Sequence, residues 1–162
     1  MQLSAAGLAL VKTCEGFRGR AYLDVAGIPT IGYGHRLTQR DAFPAGIDEA
    51  TAEHMLACDV GEAEEAVTSL VKVSLSQGQF DALVDFVFNL GSGRLGGSTL
   101  LRDLNQGFYD IAAGQLLFWD HADMSGVEIE VAGLKARREA EFNLWTSTQP
   151  ETPAAAPAQG VA

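Results

Sequence analysis

The segment CEGFRGRAYLDVAGIPTIGYGH, residues 14–35, places two acids, Glu15 and Asp24, among glycines and short β-forming pieces. Glu15 follows an apolar, helix-like stretch, whereas Asp24 lies beside a turn. The glycines, the prolines and the β-rich pieces between residues 16 and 46 predict a small hairpin or a three-stranded sheet. The segment therefore joins a helix end to a small sheet, with one carboxylate on each side of the junction.

Helical patterns extend outward from this segment in both directions. Ser4 is placed to cap a helix that begins at about residue 4 and runs through Thr13 or Glu15. Asp48 can cap a long helix over about 49–71, with a bend or break at Gly61.

The C-terminal half is predicted to be helical as well. Ser76 and Gln79 form a capping-box pattern. Apolar residues then recur at helical spacing, which predicts a helix buried on one face and stopped by glycines. The members of this stripe and the stops are Phe80, Leu83, Val84, Val87 and Phe88, then Gly91 and Gly93. Shorter helices are expected at about 98–105, 110–119 and 134–145. The Pro/Ala-rich residues 147–162 are expected to form a disordered tail.

The composition is that of an ordinary globular domain, but the charge is unevenly distributed. The net charge is −10, and residues 46–70 contain seven acidic residues and no lysine or arginine. Residues 1–45 instead contain five basic and three acidic residues. The negative net charge of the whole chain argues against nucleic acid as a partner. The acidic stretch at residues 46–70 is explained as a solvated helix face.

Neither the N-terminus nor the cysteines suggest export. The early apolar run, residues 5–11, is too short to span a bilayer and lacks the flanks of a secretory signal. We therefore expect no membrane insertion and synthesis in a cytoplasm. Cys14 and Cys58 do not form a disulfide framework, and we expect two buried or half-buried thiols.

Glu15 and Asp24 each have a structural explanation alone, but together they indicate chemistry. The helix dipole disfavours a negative charge at the position of Glu15, so this acid is a poor choice for stability. Asp24 also suits a turn, and Thr30 suits a strand. A helix end and a hairpin can present two carboxylates from opposite sides of a groove, which is what glycoside hydrolysis requires.

The same residues resemble the active-site signature of phage-type lysozymes, the endolysins of glycoside hydrolase family 24. The resemblance covers about residues 4–146 and continues in QFDALVDFVFNLGSGRLGGSTLLRDLNQG, AAGQLLFWDHA and GLKARREAEFNLW. It implies an α+β, mostly helical, two-lobed fold within one catalytic domain at 1–146. The parts would be a small α/β lobe over about 14–60, a connecting helix over about 49–71, and a helical lobe over about 72–146 together with helix 4–13.

The resemblance also implies roles for individual residues. Glu15 would be the general acid that protonates the bond between N-acetylmuramic acid and N-acetylglucosamine in peptidoglycan. Asp24 and Thr30 would position the attacking water, so that the β-1,4 bond is hydrolysed with inversion and the two carboxyl groups lie about 6.5–9.5 Å apart. The residues implied to line the cleft or contact sugar are Phe88, Thr99 and Gln115, although Phe88 also belongs to the buried stripe.

His35 and Asp59 are expected to have a structural role near the site. His35 could be taken for a catalytic base because it follows the signature closely. We favour a histidine tied to Asp59, which lies where the family has a matching acid, and which would hold the hairpin to the connecting helix.

The resemblance further implies a monomer that acts on peptidoglycan glycan strands without a cofactor or metal. A separate holin-like protein would release it from the host bacterial cytoplasm to the cell wall. The acidic charge departs from the positive charge that many lysozymes carry.

Alternatives remain open from the sequence. A lytic transglycosylase would cleave the same bond with one acid and no water-positioning pair, and a non-catalytic peptidoglycan-binding module would need no acid at a helix end. A metal site built from Glu15, Asp24 and His35 matches none of the common zinc or calcium spacings.

Overall fold

The computed structural model of the chain describes residues 1–24, 27–39, 41–123 and 128–147. Its helices are α1 (Ala5–Glu15), α2 (Glu49–Leu70), α3 (Gln77–Leu90), α4 (Ser92–Gly96), α5 (Thr99–Asn105), α6 (Tyr109–Leu116) and α7 (Ala132–Ser147). Its strands are β1 (Arg18–Leu23), β2 (Pro29–Gly32), β3 (His35–Arg36), β4 (His121–Asp123) and β5 (Glu128–Glu130). The fold class expected from the sequence, mostly helical with a small three-stranded sheet, is confirmed.

The helix starts follow from side-chain caps. Ser4 Oγ accepts hydrogen bonds from the backbone N–H groups of Ala6 and Gly7 at the start of α1. Asp48 Oδ1 accepts from the Thr51 N–H at 2.8 Å at the start of α2. Both caps satisfy backbone donors that a first helical turn leaves unpaired.

The capping box at α3 is also confirmed. Gln79 N–H donates to Ser76 Oγ at 3.3 Å, and the Ser76 N–H donates to Gln79 Oε1 at 2.9 Å. Gly91, with a φ of 87°, ends the helix, as the sequence predicts.

Helix α3 forms the centre of the core. It packs against α1, α2 and α7, and every residue from Gly78 to Val87 is buried. Two of these residues, Asp81 and Asp85, are acids that require partners from other elements. Phe88, one position beyond this stretch, is only partly buried and packs against the core.

The three-stranded sheet has the order β1-β2-β3 and is antiparallel throughout. Strand β2 packs against α2, where a Cβ on Gly32 would lie 3.1 Å from the Ala52 Cβ. This close approach needs glycine, because the backbone φ of 66° also disfavours a side chain. The sheet is thereby fixed to the long helix, directly after the end of α1.

Several boundaries and details differ from the sequence-based expectation. Helix α1 ends at Glu15, the later of the two ends that the sequence allows. Helix α2 ends at Leu70 and runs unbroken through Gly61, because a single glycine within 22 residues costs only about 1 kcal/mol. Gly93 lies inside the short helix α4 and does not end a helix.

The C-terminal region differs as well. The antiparallel hairpin of β4 and β5 was not expected, and the expected helix at 110–119 ends at Leu116. Helix α7 begins at Ala132 and extends through Ser147, which the sequence assigns to the tail. The rest of that tail, 148–162, lies outside the described residues. Cys14 and Cys58 are exposed thiols, not buried or half-buried ones.

Candidate active site

Glu15 is the last residue of α1 and its side chain is 22% exposed. A buried arginine, Arg137 of α7, donates from Nη1 to Glu15 Oε1 at 2.7 Å. The carboxylate at a helix C-terminus, an unfavourable position by itself, is therefore compensated by a cation from the other end of the chain. The second oxygen, Oε2, lies over Gly34, where an added Cβ would be 3.0 Å away.

Arg137 is in turn anchored by Asp85 of α3. Its Nε and Nη2 donate to Asp85 Oδ2 and Oδ1 at 2.8 and 2.9 Å, a bidentate arrangement. Arg137 is 6% exposed and the Asp85 side chain 0%. Burial acts to lower the pKa of Arg137, but the Asp85 and Glu15 carboxylates outweigh it and raise that pKa, so the guanidinium stays charged. Glu15 is thus held by a rigid, charged group.

A second buried pair lies on the next residues of α7. Arg138 Nη2 is 2.7 Å from Glu141 Oε1, and both side chains are fully buried. Arg138 also donates to Asn89 Oδ1 at 3.0 Å, and its guanidinium lies 5.1 Å from the Phe86 ring centre. Burial raises the pKa of Glu141 well above its ordinary range and lowers that of Arg138.

Asp24 lies directly after β1, in a turn that closes on Ile28. Its Oδ1 accepts the Ile28 N–H at 2.8 Å, while its own N–H donates to the Ile28 carbonyl at 3.0 Å. The carboxylate is half-buried. The short loop therefore holds the Asp24 side chain against its own backbone, an arrangement common for aspartate in turns.

Thr30 lies on β2, two residues beyond Ile28, and is 3% exposed. Its hydroxyl donates to the Ile28 carbonyl at 2.9 Å. Because that bond uses the only hydroxyl proton, Thr30 Oγ1 has only acceptor capacity left for any further partner. Asp24 and Thr30 are thus brought together through Ile28.

His35 and Asp59 meet as the sequence predicts. His35 Nδ1 of β3 is 2.8 Å from Asp59 Oδ2 and 3.1 Å from Oδ1 of α2. Both side chains are partly exposed. The contact joins the sheet to α2. It lies on the face of the sheet opposite the one that bears the cross-strand pair of Tyr22 and Thr30.

The three residues expected to contact sugar are placed differently from one another. Thr99 Oγ1 donates to Gln115 Oε1 at 3.0 Å, which joins the start of α5 to α6 at the surface. Phe88 packs against the hydrophobic core. The structure therefore brings Thr99 and Gln115 together and gives Phe88 a core role as well.

Sequence reasoning missed Arg137 and Asp85, although signals for both were present. Asp81 and Asp85 lie four residues apart inside a helix whose neighbours are apolar, which indicates buried acids with partners. The Arg-Arg pair in GLKARREAEF offers cations for those acids, and both arginines are buried, at 6% and 0% exposure.

Over the described parts of the chain, no group of three or more His, Cys, Asp or Glu side chains is arranged to hold a metal ion. No described helix combines the length and the apolar character needed to cross a bilayer.

The mostly helical fold with a small three-stranded antiparallel sheet is that of the phage lysozymes and defines the class of this protein. The phage lysozyme family model matches residues 12–141. The chain belongs to the phage lysozyme family, as the resemblance of its sequence implied. Its activity class is that of a peptidoglycan-degrading lysozyme.

Individual relatives agree with this assignment. The endolysin of Salmonella phage P22 is 40% identical over 142 residues, which are 86% of this chain and 95% of the relative. The endolysin of Bacillus phage B103 is 43% identical over 148 residues, or 90% of this chain, but the chain spans only 54% of that relative. The solved structure of an endolysin from Escherichia coli O157:H7 phage FAHEc1 superposes with a TM-score of 0.84 at 35% identity, covering 93% of this chain and 98% of that one.

Proposed function

We propose that the chain hydrolyses the β-1,4 bond between N-acetylmuramic acid and N-acetylglucosamine with inversion, and that Glu15 is the general acid. The observation that carries the proposal is the anchoring of Glu15 Oε1 by the buried Arg137. It fixes the carboxyl group at the helix end and leaves Oε2, beside Gly34, to face the leaving oxygen. Proton donation to that oxygen lets the glycosidic bond break.

Asp24 and Thr30 supply the second half of the reaction. A water that donates one proton to the Asp24 carboxylate and the other to Thr30 Oγ1 directs its lone pair at the anomeric carbon. Thr30 can only accept in this arrangement, because its own proton is given to the Ile28 carbonyl. Asp24 takes the proton of the attacking water, and the anomeric carbon of the product has the opposite configuration to that of the substrate.

Glu15→Gln tests this assignment. We expect at least a 100-fold loss of turnover on purified sacculi, in the range that general-acid catalysis contributes. Stability should change by less than about 1 kcal/mol, because glutamine keeps an acceptor for Arg137 and removes a charge that the helix dipole disfavours. Glu139→Gln, an exposed glutamate of α7, is the control and should retain full activity.

Product analysis separates this mechanism from its alternatives. We expect the α-anomer at early times by NMR. β-Anomeric product, or anhydromuramic ends in mass spectra, would contradict hydrolysis with inversion, the latter in favour of a lytic transglycosylase. Binding to sacculi without any release of reducing ends would favour a non-catalytic binding module.

The cellular setting is part of the same proposal and rests on family membership. The single domain at 1–146 acts as a monomer and needs no cofactor. It accumulates in the host bacterial cytoplasm, and a separate holin-like protein gives it access to the wall. Expression of the chain alone should leave cells intact until a membrane-permeabilising agent is added, and size-exclusion chromatography should show one copy. Thr99, Gln115 and Phe88 contribute the opposite wall of the cleft.

A further inference from the structure

One face of the sheet carries a row of three side chains that includes the buried Thr30. Tyr22, Thr30 and Arg36 are direct cross-strand partners on β1, β2 and β3. Directly opposed residues of antiparallel strands project from the same face. His35, the neighbour of Arg36, projects from the other face and contacts Asp59. Tyr22 and Arg36 therefore flank Thr30 on one surface.

Arg18 adds a second cation to this surface. Its guanidinium carbon lies 4.3 Å from the centre of the Tyr22 ring, within the range of a cation–π contact. Contact with a ring face does not use the guanidinium N–H groups as hydrogen-bond donors to oxygen. Arg18 therefore keeps donors for a further partner while it lies over Tyr22.

Arg18 and Arg36 have no acidic partner among the described residues, where no acidic side chain lies within 4.0 Å of a charged nitrogen of either one. Of the other described lysines and arginines, Arg20, Lys72 and Arg94 also lack such a partner. Five have one, namely Lys12, Arg102, Lys135, Arg137 and Arg138. In a chain of net charge −10, two exposed arginines without an acidic partner, beside Thr30 and near Asp24, indicate a site for an anionic ligand.

We propose that Arg18, which Tyr22 orients, and Arg36 bind the carboxylates of the stem peptide attached to the muramic acid residue at the scissile bond. This inference rests on the proposed roles of Asp24 and Thr30, because those roles place the substrate against this face of the sheet. A stacked guanidinium presents paired N–H donors that match the two oxygens of a carboxylate. The Tyr22 ring orients Arg18 and does not itself contact the anion.

The proposal gives the enzyme a basis for substrate choice. Two arginines at this place bind a glycan strand that bears anionic peptides more tightly than the same strand without them. Phosphate groups of other wall polymers share the negative charge and are therefore excluded from both substrates of the test. The stem peptide is carried on the muramic acid residue itself, so proximity to Thr30 favours the peptide carboxylate.

The test compares two substrates made from one preparation of sacculi free of phosphate polymers. One retains its stem peptides, and the other has lost them to an amidase. Initial rates of reducing-end release give kcat and KM at fixed ionic strength for Arg18→Gln and Arg36→Gln. The control is Arg20→Gln, which removes the same charge from the same strand. The Arg20 side chain instead lies against Gly46. A Cβ added to Gly46 would be 3.4 Å from Arg20 Cγ.

On peptide-bearing sacculi we expect kcat/KM to fall about tenfold for Arg18→Gln and for Arg36→Gln, mainly through KM, as for the loss of a charged hydrogen bond. On stripped glycan each should stay within about twofold of the unmodified chain, and Arg20→Gln should stay within that limit on both substrates. Tyr22→Leu, which removes the ring beside Arg18, should reproduce part of the Arg18→Gln loss on peptide-bearing sacculi.

Three results would overturn the proposal. One is an equal loss on both substrates, and another is a loss for Arg20→Gln as large as for Arg18→Gln. The third is a loss seen only on walls that carry phosphate polymers. Thermal melting checks that each variant is folded. Since the two arginines lie on different strands, Arg36→Gln decides the matter if Arg18→Gln does not fold. Failure of Glu15→Gln to abolish turnover would count against the proposed mechanism and leaves this comparison of substrates unaffected.

Discussion

Arg137 connects Glu15 to Asp85: one guanidinium donates to the Glu15 carboxylate at 2.7 Å and to both oxygens of the Asp85 carboxylate at 2.8 and 2.9 Å. The two acids lie on α1 and α3, and the arginine on α7. The position of the proposed general acid therefore depends on the packing of three helices. Asp85 acts on the reaction only through Arg137, so it is a positioning residue.

Asp85→Asn should separate positioning from stability. Removing one partner of a buried ion pair costs about 3–5 kcal/mol, and we expect the lower end of this range because Glu15 still pairs with Arg137. A misplaced Glu15 should lower kcat by about 10- to 100-fold with little change in KM. The measurement is steady-state kinetics at a temperature where chemical denaturation shows the variant to be folded.

Asp81→Asn provides the matched control. Asp81 is equally buried on α3, one turn earlier, but it accepts from the Ser4 N–H at 3.0 Å and from Gln77 Nε2 at 2.8 Å. Asp81 therefore matches Asp85 in its helix and in its burial, but it is not linked to Glu15. Its replacement should destabilise the protein and spare kcat. Equal losses of kcat in the two folded variants would refute a positioning role for Asp85.

Gly34 tests how closely the backbone approaches Glu15. A Cβ at this position would lie 3.0 Å from Glu15 Oε2, and the φ of 82° disfavours any side chain. Gly34→Ala should therefore cost about 1–2 kcal/mol of stability through strain and also displace the carboxylate. We expect kcat to fall about tenfold or more, measured on purified sacculi.

Gly107→Ala separates strain from displacement. Gly107 has a φ of 84°, nearly the same as Gly34, but an added Cβ would meet nothing within 4 Å. Its replacement should cost similar stability and leave kcat unchanged. If Gly34→Ala were as active as Gly107→Ala, the backbone at Gly34 would have no part in placing Glu15.

The sequence was sufficient for features whose determinants are local. Ser4 and Asp48 are adjacent to the helices that they cap, and Thr30 lies within a few residues of the turn that positions it. The contact between Arg137 and Glu15 spans 122 positions, so no local pattern reports it. Helix α4 and the β4–β5 hairpin were missed for another reason: each is only a few residues long, too short for a periodic pattern to develop.

The buried Arg138–Glu141 pair predicts a pH dependence of stability. Burial raises the folded-state pKa of Glu141 above the ordinary value of 4.5, and the nearby Asp85 carboxylate acts in the same direction, while Arg138 and Arg137 oppose it. Between the unfolded and folded pKa values, the folded protein binds more protons than the unfolded chain. The contribution of Glu141 to stability is therefore fully present below about 4.5 and is lost as the pH rises through the folded value, by about 1.4 kcal/mol per pH unit.

Glu141→Gln should remove this dependence. At low pH glutamine resembles the protonated acid, so the two proteins should differ least there. Above about pH 4.5, the free energy of unfolding of the variant should rise relative to that of the unmodified chain. Urea denaturation at a series of pH values measures the difference, and Glu139→Gln, exposed on the same helix, should show none. A constant difference across the pH range would mean that Glu141 has the same pKa in the folded and unfolded states.

The contact between His35 and Asp59 predicts a structural role for His35. Its Nδ1 lies 2.8 Å from Asp59 Oδ2 and joins β3 to α2, so its contribution should be to stability. We expect His35→Asn to lower the free energy of unfolding by about 0.5–1.5 kcal/mol, the net value of one hydrogen bond. Asp59→Asn should cost a similar amount, and the double variant little more than either one, because each change breaks the same contact. All three proteins should retain most of their turnover at a temperature where they are folded. Additive losses of stability would show that the pair is not coupled, and a folded but inactive His35→Asn protein would give His35 a part in catalysis.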